Sequence, residues 1–229
     1  MNKMDKWIYL SYPISSELSG YGNGNRFKTK QTRSILQGDT SNNTEFCMPS
    51  HFGTHIDFPY HFSSIGKTID AYKPSFFVFE NVSIISLESI SLIEDYLIKP
   101  EHLLDYMNSC SNNTELLLIK TGFCNKRNTE EYWKYGYGIG LGVAELIRKK
   151  FPKIRAVGVD LISLNSFQQR EIGRIAHKEF LIENDILIVE DMDLSKINEK
   201  IEIRRAIIAP LNINGAEGAP VTTFANIKL

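Results

Sequence analysis

The stretch Ser50-His51-Phe52-Gly53-Thr54-His55-Ile56-Asp57-Phe58-Pro59-Tyr60-His61-Phe62 holds three of the five histidines in a chain of 229 residues. They form the pattern H-x3-H-x-D-x3-H. Imidazole and carboxylate groups are donors that suit a borderline divalent cation such as zinc. In an extended backbone, side chains alternate between faces. His51, His55, Asp57 and His61 then share one polar face, while Phe52, Ile56, Phe58, Tyr60 and Phe62 share an apolar one. Gly53, which admits a positive φ, points to a turn beside Thr54, and Pro59 interrupts regular pairing, so the stretch reads as a strand end entering a loop. The alternative is a half-buried strand whose histidines are merely exposed or hydrogen-bonded. Three histidines with an aspartate weigh against it and point to a metal or catalytic site.

Outward from this stretch, short apolar runs alternate with a few helical patterns. Trp7 to Ser15 reads as a first strand ending near Pro13, and residues 16 to 44 as a long polar segment, either a lid or a connector. Its basic residues Arg26, Lys28, Lys30 and Arg33 read as solvated charges rather than an anion site. Strand material follows at Phe76–Phe79, Val82–Leu87, Glu115–Gly122, Ala156–Asp160, Asp185–Asp191, Ile203–Leu211 and Pro220–Ala225. Helices are expected from Pro100, from Leu141 to Phe151, and around His177. His102, near a helix start, reads as a surface or capping histidine. Tyr132, Trp133, Tyr135 and Tyr137 either line a pocket or pack over the sheet edge. This alternation implies an α/β or mixed α+β fold in one domain over residues 1–229, a mixed sheet flanked by helices.

The run from His51 to His61 closely resembles the H-x-G-T-H-x-D-x-P-x-H signature of the metal-dependent cyclase family, whose best-known member type is bacterial kynurenine formamidase. The likeness extends to Leu118–Gly122, Val157–Asp160 with Ser163 and Leu164, Ala209–Leu211 and Gly218–Val221. It implies a swivelling β/β/α-like fold. It also implies that His51, His55 and Asp57 bind one ion, that Asp57, His177 and Glu190 bind a second, and that His61 carries protons. On the residues alone, His177 would be a surface helix residue and Glu190 a strand-end carboxylate, with Glu179, Glu183, Asp185 and Asp191 as competitors. The separation from His177 to Glu190 is one residue longer than the spacing associated with the family. The implied cofactor is Zn2+, one or two ions per chain, with Mn2+ an alternative, since His, Asp and Glu serve both.

The implied reaction is metal-assisted hydrolysis of a small amide, with an arylformamidase acting on N-formyl-kynurenine as first choice. The segment Gly20-Tyr21-Gly22-Asn23-Gly24-Asn25-Arg26 departs from the Pro- and Trp-bearing segment expected there, which bears on substrate identity. Rival readings are an isatin-hydrolase-like or lactone-opening hydrolase of the same family, a non-catalytic metal-dependent binding or regulatory protein, and a cysteine hydrolase using Cys47 with His51. Cys47 is otherwise a small buried residue beside the site. Three cysteines without C-x2-C spacing give neither a disulfide framework nor a zinc knuckle. A formal net charge of −1 favours a small-molecule partner over nucleic acid or membrane. With no membrane-length apolar run and no signal-like start, the expected compartment is the cytoplasm, and the resemblance suggests a homodimer or higher homo-oligomer.

Overall fold

Leu116-Leu117-Leu118-Ile119-Lys120 is buried at every position, the pattern of a strand covered on both faces. The computed structural model describes residues 6–24, 27–88, 95–198 and 201–228. Its first strands are β1 (Lys6–Tyr9), β2 (Lys28–Arg33), β3 (Asn43–Cys47), β4 (His55–Asp57), β5 (Val78–Phe79), β6 (Val82–Ser86) and β7 (Leu97–Ile98). Helix α1 (Pro100–Met107) precedes β8 (Leu116–Lys120), and α2 (Glu130–Lys134), β9 (Gly138–Ile139) and α3 (Val143–Lys150) follow. Then come β10 (Ala156–Val159), α4 (Arg170–Lys178), β11 (Leu187–Glu190), β12 (Glu202–Pro210) and β13 (Gly218–Lys228).

Nine of these strands form one mixed sheet in the order β5-β12-β13-β4-β11-β10-β8-β6, with β1 also on β13. Strands β6, β8, β10 and β11 are parallel, whereas β4 runs antiparallel to both β11 and β13. β12 also packs against β6, so the sheet curls almost into a barrel. This is the expected single mixed α/β domain. The helices form where the sequence places start signals. α1 opens on Pro100, with His102 Nδ1 accepting the Lys99 N–H at 2.9 Å, so His102 is indeed a capping residue. α3 carries Glu145 in its first turn and Arg148, Lys149 and Lys150 in its last, matching the helix dipole, and buries Val143, Ala144 and Ile147.

Two expectations fail. The first strand ends at Tyr9, after which Leu10 donates to Thr223 and Ser11 only bridges Met192. The segment from 16 to 44 is not a featureless loop, because β2 and β3 pair as an antiparallel hairpin. Every residue of both strands is exposed, so no apolar face existed to betray them. Lys28, Lys30 and Arg33 are solvated there as expected, while Arg26 lies outside the described residues. Among the described residues, no helix is long and apolar enough to cross a membrane.

The sheet centre is packed without slack. A Cβ on Gly158 of β10 would lie 2.4 Å from Met192 Sδ and 2.8 Å from Leu118 Cδ2. Gly158→Ala is therefore expected to lower stability by about 1–3 kcal/mol through overpacking. Urea unfolding measures it, and an unchanged midpoint would contradict this packing.

Candidate metal centre

Strand β4 delivers its side chains through register. His55 stands opposite Glu190 of β11, and Asp57 stands opposite Gly218 of β13. His55 and Asp57 are two apart and share a face. His55 Nε2 lies 3.2 Å from Glu190 Oε2 and 3.5 Å from Asp57 Oδ1. From α4, His177 Nε2 reaches Glu190 Oε1 at 3.1 Å and Asp57 Oδ2 at 3.7 Å. His51 completes the cluster with Nδ1 at 2.9 Å from Asp57 Oδ1. Its ring sits against Gly218, where a Cβ would come within 2.4 Å of His51 Cε1, so only glycine leaves room. All five side chains named as ligands from the sequence and the resemblance thus converge.

His61 arrives by a different route from the one its spacing implies. Pro59 opens a 3-10 turn over Pro59–His61, and its period of three ends the strand alternation. His61 swings back to stack on His51, ring centroids 4.0 Å apart, and stays exposed at the pocket mouth. For the same reason Tyr60 is exposed and Phe62 leaves the apolar face to stack on His177 at 4.8 Å. Phe52, Ile56 and Phe58 are buried as the alternation requires, and Gly53 has the anticipated positive φ of 67°. Between His177 and Glu190 the chain passes through a π-helical turn, Glu179–Glu183, where the Asn184 N–H donates to Glu179 O at 3.0 Å. A π turn takes one residue more than an α turn.

The surroundings fix each donor. His55 Nδ1 bonds Gly53 O at 2.8 Å and His177 Nδ1 bonds Gly173 O at 2.7 Å. A ring whose Nδ1–H is held by a carbonyl offers Nε2 to a cation, the usual support for metal-binding histidines. Glu190 Oε1 is oriented by the Leu164 N–H at 2.6 Å and the Ser163 hydroxyl at 3.2 Å. Asp57 Oδ2 is buried and has no hydrogen-bond partner among the described residues, a state that is costly unless a cation fills it. His55, Asp57 and Glu190 bring ligand atoms within 4.8 Å of one another, as do His51, Asp57 and His61. The donor set fits a divalent cation of the zinc or manganese type.

Charge within the cluster is compensated internally. Burial opposes a charged ring at His55, but Glu190 and Asp57 outweigh it and hold the pKa up to about 9. His177 is raised for the same reasons. Glu190, also opposed by burial, is held well below the ordinary carboxylate range by His177 and His55. His61 goes the other way: desolvation of its stacked ring dominates and lowers its pKa, although Asp57 pulls it up.

The cyclase family model matches residues 8–166, more than half of the chain. The chain belongs to the cyclase family. A kynurenine formamidase from Bacillus anthracis is 27% identical over 222 residues, covering 96% of both chains, and one from Bacillus cytotoxicus is 26% identical over the same length. Among solved structures, a potential metal-dependent hydrolase with cyclase activity superposes with a TM-score of 0.76 at 21% identity, covering 99% of this chain and 100% of that one. Isatin hydrolase A from Ralstonia solanacearum superposes with a TM-score of 0.77 at 17% identity, covering 98% and 92%. These relatives are hydrolases, and the solved ones share this chain's fold.

The cyclase-family cluster lies at the base of a pocket of about 200 Å3, walled by Gly20, Tyr21, Phe62, Ile162, Ser163 and Asn165. A larger cavity, about 590 Å3, lies beyond Tyr12 and Phe46 and holds no histidine. Cys47 is exposed at the end of β3, not buried beside the site, and does not line the pocket. Trp133 packs on Phe167 and Tyr132 is buried against Asp191, so these aromatics serve packing rather than lining. Sequence reasoning missed Glu217, whose Oε1 accepts the Ser50 hydroxyl at 2.6 Å and lies 3.3 Å from His51 Nε2. It missed Thr54 too, whose hydroxyl donates to Asp191 O at 2.5 Å, although Thr54 is a fixed position of the motif.

A pH response follows for protein freed of cations with a chelator. His55, raised to about 9 from 6.5, contributes stability that is fully present below pH 6.5 and lost as pH rises through about 9. Glu190, depressed from 4.5, contributes stability present above that value and lost as pH falls well below it. Melting temperatures of chelated protein should decline on the alkaline side between those limits. A flat profile there would show that His55 carries no such proton.

Proposed function

We propose that the chain hydrolyses a small amide, with N-formyl-kynurenine as the favoured substrate and kynurenine and formate as products. The observation that carries this reading is the pair His55 and His177, each locked through Nδ1 to a backbone carbonyl so that both Nε2 atoms face the carboxylates of Asp57 and Glu190. His51, His55, Asp57, His177 and Glu190 would hold one or two Zn2+ ions, with Mn2+ as the alternative. A bound cation of this type acidifies water toward a pKa of ~7 and polarises a carbonyl oxygen.

The chain's own groups do the rest. Asp57 and Glu190 supply the carboxylates of the basin, and the buried rings of His55 and His177 exclude bulk water from its floor. Tyr21 and Phe62 wall a space suited to one small planar molecule. His61 stands at the rim with a lowered pKa, so near neutrality its ring is free to take a proton from the attacking water. It then returns that proton to the departing nitrogen, because an amine leaves far more readily than an amide anion. Glu217 Oε1 lies beside His51, the ring on which His61 stacks.

The likeness in fold to isatin hydrolases supports a second reading, in which the same groups open a cyclic amide. Both place the protein with a small-molecule partner rather than nucleic acid or membrane, and we assign it to the cytoplasm. We also assign it a homodimeric or higher homo-oligomeric state, supported by the bare β2–β3 hairpin, whose tip leaves Leu36 99% exposed. Light scattering during size exclusion checks that state, and a monomeric mass would refute it.

Two substitutions separate the roles. His61→Ala should retain the cation and lose most turnover, about 100-fold or more as is usual for a general acid–base group. Asp57→Ala should lose the cation itself. Elemental analysis with kinetics on N-formyl-kynurenine, simple aryl formamides, isatin and lactones measures both. Full activity in His61→Ala would remove the proton-carrier role.

A further inference from the structure

Arg127 is 4% exposed, and its guanidinium lies between the rings of Tyr12 and Tyr132, 5.5 and 4.9 Å from their centroids. Nη2 donates to Asp191 Oδ2 at 2.7 Å and to Ser19 O at 2.9 Å. Asp191 is 2% exposed, and its Oδ1 accepts the Tyr132 hydroxyl at 2.6 Å. Its backbone is left-handed, φ 54°, an unfavourable conformation for a residue with a side chain. Nε and Nη1 of Arg127 have no hydrogen-bond partner among the described residues.

Stability alone does not account for this pair. A buried ion pair generally gains no more than apolar side chains of similar volume would, and here two guanidinium donors are left unpaired as well. What distinguishes the pair is what it joins. Asp191 follows Glu190 directly and lines the cation pocket, and its carbonyl holds Thr54 between His51 and His55. Ser19 precedes Gly20 and Tyr21, which also line that pocket. One nitrogen of one side chain therefore ties the residue after a ligand to the segment that covers the substrate.

We propose that Arg127 is a positioning residue: through Asp191 it sets the Glu190 carboxylate against the cation, and through Ser19 it sets the Tyr21 wall against the substrate. The proposal rests on the cation-binding reading given above. It touches neither cation nor substrate itself.

The test uses Co2+ as a spectroscopic probe alongside kinetics on an aryl formamide with zinc saturating. Arg127→Met with Asp191→Asn removes both charges, and Asn tolerates the left-handed backbone, so the melting temperature should stay near the parent's. Co2+ affinity should nevertheless fall about tenfold, in the range seen when groups supporting metal ligands are altered, with a changed visible spectrum. Arg127→Lys keeps a charge for Asp191, but its ammonium sits on a shorter stem and ends short of the Nη2 position from which both acceptors are reached. It should bind Co2+ as the parent does while KM rises more than kcat falls. Parental Co2+ affinity and spectrum in the double variant, or parental KM in Arg127→Lys, would overturn the proposal. A parent protein that takes up no cation would instead overturn the metal reading, so the two failures are distinguishable.

Discussion

The antiparallel pairing of β4 with β11, which sets His55 opposite Glu190, is the constraint on which the rest of the site depends. His55, Asp57, His177 and Glu190 are each at most 4% exposed, so none could carry charge alone without a severe desolvation cost. They are tolerable because they compensate one another at 3.1–3.7 Å. A slip of one residue in that pairing would turn His55 and Asp57 to the opposite face and leave Ile56 in the basin. The buried Ile56 and Phe58 oppose such a slip, since they would lose their own packing too.

The site sits where α/β sheets generally place chemistry, at the carboxyl end of parallel strands. Glu190 is the last residue of β11. Asp160, just beyond β10, occupies the equivalent place in the next strand but has a structural task. Its carboxylate accepts the N–H groups of Thr121 and Gly122 and the Thr121 hydroxyl, closing the turn after β8. Two carboxylates at corresponding strand ends thus divide the work: one holds the backbone, the other remains open to the basin.

Much of this was legible in the residues. His51, His55, Asp57 and His61 declare themselves because scarce histidines crowd one short stretch, and the buried strands declare themselves as apolar runs. His177 and Glu190 became candidates only through likeness to a family, because a helix histidine and a strand-end glutamate are individually ordinary. Arg127, Tyr132 and Asp191 could not be grouped, since they meet only through long-range packing at separations of 59 and 64 residues. The hairpin β2–β3 was missed for the opposite reason: its pairing is a backbone affair with no buried face to impose a period. Alternation predicts that His61 shares a face with His51, whereas it is the 3-10 turn at Pro59 that brings the two rings together.

The wide turn at Glu179–Glu183 bears on how the chain can change length over evolutionary time. A residue gained or lost there alters the coil of a helix end, while His177 above it and β11 below keep their places, so insertions and deletions are absorbed. The stretch from His55 to Asp57 has no such slack, because a single added residue would invert the faces of a buried strand. Descendants of this protein should therefore drift in length at the helix junction and stay fixed in length across β4.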